Sequence, residues 1–499
     1  MATTNELPAL DVNSYDYIVV GGGTAARTLV IEGGPSDFMD DRVLNLKEWL
    51  SLLGGELDYD YGTTEQPMGN SNIRHSRAKV LGGCSSHNTL ISFRPFEYDC
   101  RQWVSKGCKG WDFETFTRII DNLRNTIQPV HARHRNQLCK DWIQACSSAM
   151  NIPVIENFND DIRKTGELTE GVGFFNISYN PDDGRRSSAS VAYIHPILRG
   201  DEKRPNLTIL TNAWVSKVNI EGDTVTGVDV TLQSGVKHTL RAKKETVLCA
   251  GAVDTPRLMM LSGLGPREQL SALGIPVSII MWELNSPVDH NMTTMDSDAG
   301  IFLRRELPDA AGFDGKIADV MMHCYQIPFT LNTTRLGYDE PVNAFCMTPN
   351  IPRPAPAPSL DFRYFTDPEG YDAATIVAGL KAAREIAKQS PFKEWIKREV
   401  APGPKLQTDE ELSEYGRRVA HTVYHPAGTT KMGNVATDPM AVVDPTLKVR
   451  GLKGIRIADA GVFPDMPSIN PMLTVLTIGE RAAELIAGEA GWSRNQPRL

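Results

Sequence analysis

Two kinds of hydrophobic pattern alternate along this chain. Strand-like runs at Tyr17–Val20, Thr28–Ile31, Leu207–Leu210, Thr224–Leu232, Glu245–Cys249 and Ile455–Ile457 predict strands. Apolar positions three or four residues apart predict helices at Trp111–Leu123, Pro256–Leu261, Ala373–Lys388 and Leu473–Ala487. Strand and helix alternate near both ends, with a longer mixed region between. That order predicts an α/β fold into which a second domain is inserted. There is no internal repeat, and the one linker-like segment is "PNIPRPAPAPSL" (Pro349–Leu360).

Composition narrows the picture only a little. A chain of 499 residues exceeds the size at which single cores divide, so two domains are expected. A net charge of −9 argues against nucleic acid and anionic membranes as partners, and is mildly congenial to a cationic substrate. No run reaches the length of a membrane span. The eight cysteines show no metal spacing and read as reduced thiols, so no metal is expected. The N-terminus lacks a basic start and an apolar stretch, which points to a cytoplasmic protein. The final Pro-Arg-Leu loosely resembles a peroxisomal address. Sequons at Asn176, Asn206, Asn291 and Asn332 read as chance.

The stretch "DYIVVGGGTAARTLVIEGG" (Asp16–Gly34) carries the first chemistry. Gly21, Gly23 and Ala26 follow a strand in the spacing that meets a pyrophosphate, the first glycine for a tight turn and the second for close backbone approach. A glycine-rich surface turn is the bland alternative. The acid expected about 20 residues further on would hold a ribose, but Glu32 comes only 11 residues after Gly21. No helix of useful length fits between the strands, although parallel strands need a crossover of about a dozen residues or more. The stretch reads as a dinucleotide fold with its first crossover cut out.

Four later segments stand in fixed order. "RAKVLGGCSSHN" (Arg77–Asn88) offers a glycine pair, small hydroxyl residues and a histidine. "GAVDTPRLMMLSGLG" (Gly251–Gly265) reads as a strand exit, a proline-started helix and a glycine stop. "TVYHPAGTTKMG" (Thr422–Gly433) sets His425 before a proline. "IADAGVFPDMPSINPMLTVLTIGERAAELI" (Ile457–Ile486) ends a strand at Asp459 and opens a long helix after Asn470-Pro471. Together these resemble the glucose–methanol–choline oxidoreductases, FAD enzymes that oxidise alcohols. "RSSASVAYIHPI" (Arg186–Ile197), "DPEG" (Asp367–Gly370) and "SHN" after GGCS are most similar to the choline-oxidising members.

The resemblance implies a Rossmann-like FAD-binding domain of ββα type, over 14–95, 205–275 and 440–499. It implies an inserted α+β substrate-binding domain with an antiparallel sheet, over 96–204 and 276–439. Gly21, Gly23, Thr24, Ala25 and Glu32 would hold the ADP half of FAD. Leu81, Gly82, Gly83 and Asn88 would meet the pyrophosphate and ribityl region, Val215 the adenine side, and Asp459 and Ala460 the pyrophosphate. Asn470, Pro471 and Thr474 would lie beside the flavin. His87 matches a histidine that tethers the flavin covalently; a buried histidine near a non-covalent flavin is the other reading. The catalytic pair would be His425, taking the hydroxyl proton, and Asn470, donating to the developing alkoxide. Trp49, His323, Phe329, Val423 and Tyr424 would form the substrate pocket, with aromatic faces suited to a quaternary ammonium. The implied reaction takes choline to betaine aldehyde and oxygen to hydrogen peroxide, in a homodimer. An oxidase or dehydrogenase of another alcohol, and an FAD-poor remnant, are the competing readings.

The sequence departs from the family at three apparent deletions. One removes the crossover before Thr28. A second, at "GIPVSIIMWELNSP" (Gly274–Pro287), removes the glutamate that pairs with the ammonium headgroup, and Glu283 does not take its place in the motif. A third lies at "PRPAPAPSLDFRYF" (Pro352–Phe365). "MDSDAGIF" (Met295–Phe302) also lacks the family's tryptophans.

Overall fold

The computed structural model describes residues 15–21, 28–63, 66, 68–69, 73–168, 170–264, 276–277, 280–290, 298–303, 320–327, 338, 341–350 and 364–491. Gly23, Thr24, Ala25, Ala26 and Phe329 lie outside the described residues, as do Asn291, Asn332 and most of the proline-rich segment.

Five strands run parallel, in the order Leu207–Leu210, Thr28–Ile31, Tyr15–Val20, Lys237–Leu248 and Ile455–Ile457. Thr28–Ile31 is buried throughout and Tyr15–Val20 almost so, the pattern of a sheet covered on both faces. The first half of the long strand Lys237–Leu248 turns away to pair antiparallel with Thr224–Leu232, which in turn pairs with Ala213–Glu221.

The first two strands pair in parallel, with Tyr17 opposite Thr28 and Val20 opposite Ile31, although only residues 21–27 join them. The chain must drop about 10 Å along the strand and step about 4.8 Å sideways. Seven residues reach about 25 Å when extended, enough for a loop but not for a helix. The dozen-residue rule therefore describes helical crossovers and not the minimum the geometry allows.

The helix expected at Pro256 instead spans Gly251–Leu261, with Pro256 inside it. A proline there deprives the Ala252 carbonyl of its N–H partner. The Thr429 hydroxyl donates to that carbonyl at 2.6 Å and makes good the loss. Helix Phe113–Asp121 is shorter than its pattern predicts, Asp112 capping the Thr115 N–H at 2.8 Å. Helices Tyr371–Ala387 and Met472–Glu489 fall within two residues of their expected bounds.

The second sheet is antiparallel, in the order Ile396–Ala401, Ile280–Leu284, Ala344–Asn350, Val320–Tyr325, Ala299–Leu303 and Gly171–Phe174. Helices Gln137–Met150 and Tyr371–Ala387 pack over it, burying Trp142, Ile143, Ile376 and Leu380. All eight cysteines are free thiols. Among the described residues no helix is long and apolar enough to cross a membrane, and no cluster of metal-ligating side chains occurs.

Candidate active site

A cavity of about 520 Å³ opens beyond the carboxyl ends of the parallel strands and runs on toward the second sheet. At the strand ends its wall includes Gly21, Glu32, Val215, Gly251, Asp459 and Ala460. Gly21 has φ +90°, and its N–H donates to the Ile31 carbonyl at 2.9 Å. A Cβ there would lie 2.2 Å from the Cys249 carbonyl oxygen, so only glycine fits. Burial pushes the Glu32 carboxyl up to about 8, while one oxygen accepts the Gly34 N–H at 2.8 Å. Asp459 is engaged more fully. Its carboxylate accepts the N–H groups of Gly251 (2.9 Å) and Gly461 (2.7 Å) and the Thr255 hydroxyl (2.6 Å). Asp459 therefore shapes the wall by capping the helix and the turn beside it.

The loop from Val80 to Asn88 forms the middle of the cavity. Leu81, Gly82, Gly83, His87 and Asn88 all lie on its wall. Gly82 (φ +89°) packs so closely that a Cβ would come 2.3 Å from the Ser86 hydroxyl. Beneath the loop, buried Asp37 accepts from His195 (2.9 Å) and Ser86 (3.3 Å), and from Ser190. The Arg186 guanidinium reaches the carbonyls of Val43, Ser85 and Asn88. The "RSSAS" stretch thus buttresses the loop from below. The His87 Nε2 faces the Leu52 carbonyl at 2.9 Å; a carbonyl only accepts, so Nε2 carries the proton and Nδ1 accepts from Ser76 at 3.1 Å. Burial lowers the His87 imidazole, in keeping with the neutral form.

At the far end, the turn after Thr422 presents Val423, Tyr424 and His425 to the cavity, facing a wall that includes Asn470 and Pro471. Tyr424 adopts φ +62°, a region that non-glycine residues occupy only when held there. Its N–H donates to the Thr422 hydroxyl at 3.0 Å, and its phenol donates to His421 Nε2 at 3.1 Å. His421 Nδ1 in turn donates to the Thr422 carbonyl at 2.7 Å, fixing that tautomer. Neither the His425 imidazole nor the Asn470 amide has a hydrogen-bond partner among the described residues, so both are available to a bound molecule. Burial, with Arg77 and His323 nearby, pulls His425 down to about 3 and keeps it neutral.

An aromatic row completes this end. The Trp49 and Tyr325 rings lie 6.3 Å apart, Tyr325 and His323 6.2 Å, and His323 and Phe175 5.1 Å. Gly300, opposite His323 in the sheet, makes room: a Cβ there would meet Phe175 at 2.0 Å. Burial lowers His323 to about 4.

The cavity thus gathers His425, Asn470, Pro471, His87, Trp49, His323, Val423 and Tyr424. Thr474 differs from expectation. It is fully buried two residues into the helix with its hydroxyl oxygen unpartnered, and Val475 and Leu476 take the wall instead. Glu283 lies on strand Ile280–Leu284, off the cavity, paired with Lys397 (2.8 Å) and Arg398 (2.9 Å). Exchanging Glu283→Gln should accordingly leave kcat/KM within about twofold, measured on a cationic and on a neutral alcohol, since exposed pairs contribute little. Sequence reasoning gave no role to Arg77, Tyr59, Trp214 or Tyr325, all on the wall. Tyr325 was findable, because strand alternation puts it on the face of His323.

These residues fit FAD. Added Cβ atoms at Gly83 (φ +55°) and Gly251 (φ +88°) would meet nothing within 4 Å, leaving bare backbone on the wall of an elongated cavity. The volume is within the range of about 300–1,000 Å³ usual for cofactor sites. Gly21, Glu32, Gly82, Gly83 and Gly251 are the residues that would hold the dinucleotide.

Comparison with known proteins agrees. Models of GMC oxidoreductases match residues 15–294 and 346–479. Choline oxidase of Arthrobacter globiformis is 38% identical, over 96% of this chain and 95% of that protein. That alignment spans 538 residues, more than the 499 of this chain, so the relative carries segments that this chain lacks. Oxygen-dependent choline dehydrogenase of Staphylococcus haemolyticus (strain JCSC1435) is 30% identical over 96% of this chain and 94% of that protein. Pyridoxine 4-oxidase from Mesorbium loti shares the fold with a TM-score of 0.80 at 24% identity, over 94% of this chain and 99% of that one. A formate oxidase variant from Aspergillus oryzae shares it at 0.81 and 20%, over 96% and 98%. The chain belongs to the GMC oxidoreductases, FAD-dependent enzymes that oxidise alcohols.

Proposed function

We propose that this chain oxidises a primary alcohol of choline type to its aldehyde, with oxygen as the electron acceptor. One observation carries the reading: an imidazole and a carboxamide without partners among the described residues line one cavity with the glycine-backed loop. The neutral His425 ring takes the hydroxyl proton at a ring nitrogen. The Asn470 amide donates to the same oxygen as its charge develops. FAD, when bound, supplies the hydride acceptor. Trp49, Tyr325 and His323 offer aromatic faces to the rest of the substrate. The loop below Gly82 keeps its shape through the Asp37 and Arg186 contacts. A covalent link through His87 would exchange its hydrogen bond to Leu52 or to Ser76 for a bond to carbon.

A specific observation favours a second reading, an alcohol with a neutral headgroup. The acids on the described wall are already engaged: Glu32 with Gly34, Asp254 with Tyr61 and Arg257, Asp459 with Gly251 and Gly461, and Glu480 with Tyr193. Arg77 adds a cation. The test compares choline with its neutral isostere, in which a quaternary carbon replaces nitrogen, by peroxide release from the FAD-reconstituted protein. A preference for choline of tenfold or more, about 1.4 kcal/mol, supports the first reading; near-equal kcat/KM supports the second. Turnover of neither, nor of other primary alcohols, would overturn both.

A further inference from the structure

We infer that Arg77 is a positioning residue whose guanidinium clamps the turn carrying His425 against the loop carrying Gly82, Gly83 and His87. The inference rests on the alcohol-oxidation reading for its kinetic consequence, and on geometry for the clamp itself. Arg77 is fixed at its backbone before its side chain acts. Its N–H donates to Asp58 at 2.8 Å, and its carbonyl accepts from Tyr59 at 2.9 Å. From that anchor one guanidinium nitrogen, Nη2, donates to the carbonyl of Tyr424, a residue 347 positions away in sequence. Another, Nε, donates to the carbonyl of Ser76, whose hydroxyl faces His87 Nδ1 at 3.1 Å. Ser76 is the preceding residue, so the Nε bond steadies the side chain locally, and the Tyr424 contact joins the segment that Arg77 opens to the turn that carries His425.

The far contact falls on the one non-glycine residue of the turn with a positive φ. Tyr424 is held at φ +62°, immediately before His425, and a non-glycine residue stays in that region only when its surroundings fix it. Thr422 holds the Tyr424 N–H and His421 holds the phenol, both from the same turn. His421 and Thr422 are themselves tied to the second sheet by pairing with Pro276–Val277, and Arg77 ties Tyr424 to the loop side of the cavity. A charge-assisted bond to a carbonyl suits that task. Lysine cannot replace it, because a point charge lacks the rigid fork that reaches two carbonyls at once. The guanidinium also lies close enough to act on His425 electrostatically. Among the described residues, Arg77 from the loop side and His323 from strand Val320–Tyr325 act on that imidazole electrostatically; His421 and Tyr424 precede it in its own turn, and Asn470 is uncharged.

The test compares wild type with Arg77→Met and Arg77→Lys as holoenzymes. Arg77→Met should lower kcat per bound flavin by about 10–100-fold, the scale of a catalytic group displaced by about 1 Å, with KM changed less than about threefold. Arg77→Lys should recover only part of the loss. Independently of turnover, NMR of histidine-labelled protein, with the His425 signal assigned through His425→Asn, should show the imidazole titrating at higher pH in Arg77→Met than in wild type. Should the methionine variant fail to fold, Arg77→Gln, which also removes the charge, carries the titration, and Arg77→Lys carries the kinetic measurement. An unchanged kcat per bound flavin, full recovery by lysine, or an unchanged His425 titration would overturn the clamp. A wild type that oxidises no alcohol would instead overturn the functional reading and leave the titration to decide on Arg77.

Discussion

Replacing His425 with alanine should lower kcat/KM for the substrate alcohol by about 10²–10⁴-fold, the range lost when a positioned general base is removed. The fold should survive. The imidazole has no hydrogen-bond partner among the described residues, so its removal orphans nothing, and the turn is held by Tyr424, Thr422 and Arg77 instead. The loss should therefore appear in kcat with an unfolding midpoint close to wild type. Asn470→Ala should cost about 10²–10³-fold, as removal of one preorganised donor does. Since both side chains act on one oxygen, the double variant should fall well short of the product of the two losses. Steady-state peroxide release with matched flavin content checks all three. An alanine at 425 with wild-type turnover would remove the imidazole from the mechanism.

The second large effect concerns the abridged nucleotide fold. Gly21→Ala should destabilise the protein by about 2–5 kcal/mol and strip it of flavin. The added Cβ would stand 2.2 Å from the Cys249 oxygen and 2.7 Å from its carbonyl carbon, both backbone atoms just beyond the neighbouring strand Lys237–Leu248. A φ of +90° adds strain of about 1–3 kcal/mol for an L-residue, and overpacking adds a similar amount. Relief would require giving up the Gly21 N–H bond to Ile31, one of the contacts that joins the first two strands. Gly251→Ala makes the control. Its Cβ meets no atom within 4 Å, so the strain of φ +88° dominates and stability should fall by only about 1 kcal/mol. Its methyl enters the cavity wall, so flavin binding should drop further than stability does. Denaturant midpoints and visible absorbance of each purified variant separate the two cases.

Legibility in the sequence followed locality. Gly21 and Glu32 could be placed because a strand, a tight turn and a second strand are adjacent in the chain, and the register of those strands agrees. Their direct parallel pairing was not legible, since a rule drawn from helical crossovers overstates the shortest loop. Pro256 predicts a helix start because its missing N–H usually excludes it from helix interiors; Thr429, distant in sequence, supplies the compensation. Asp459 and Ala460, expected to line the pyrophosphate, lie on the cavity wall, while the bonds of the Asp459 carboxylate to Gly251, Thr255 and Gly461 were not legible because those partners are set by the fold. Thr474 sits in the right segment on the wrong face of its helix, where a one-residue offset turns a side chain by about 100°. The role of Arg77 was not legible for the opposite reason: it opens a recognisable motif, but its partner lies 347 residues away.

The most direct measurement is the visible absorbance of FAD-loaded protein mixed with a primary alcohol in the absence of oxygen. Wild type should bleach as the cofactor is reduced, and the His425→Ala, Asn470→Ala double variant, loaded to the same absorbance, should bleach at least about a hundredfold more slowly. Equal rates in the two proteins would contradict the assignment of proton removal and alkoxide stabilisation to this imidazole and this carboxamide.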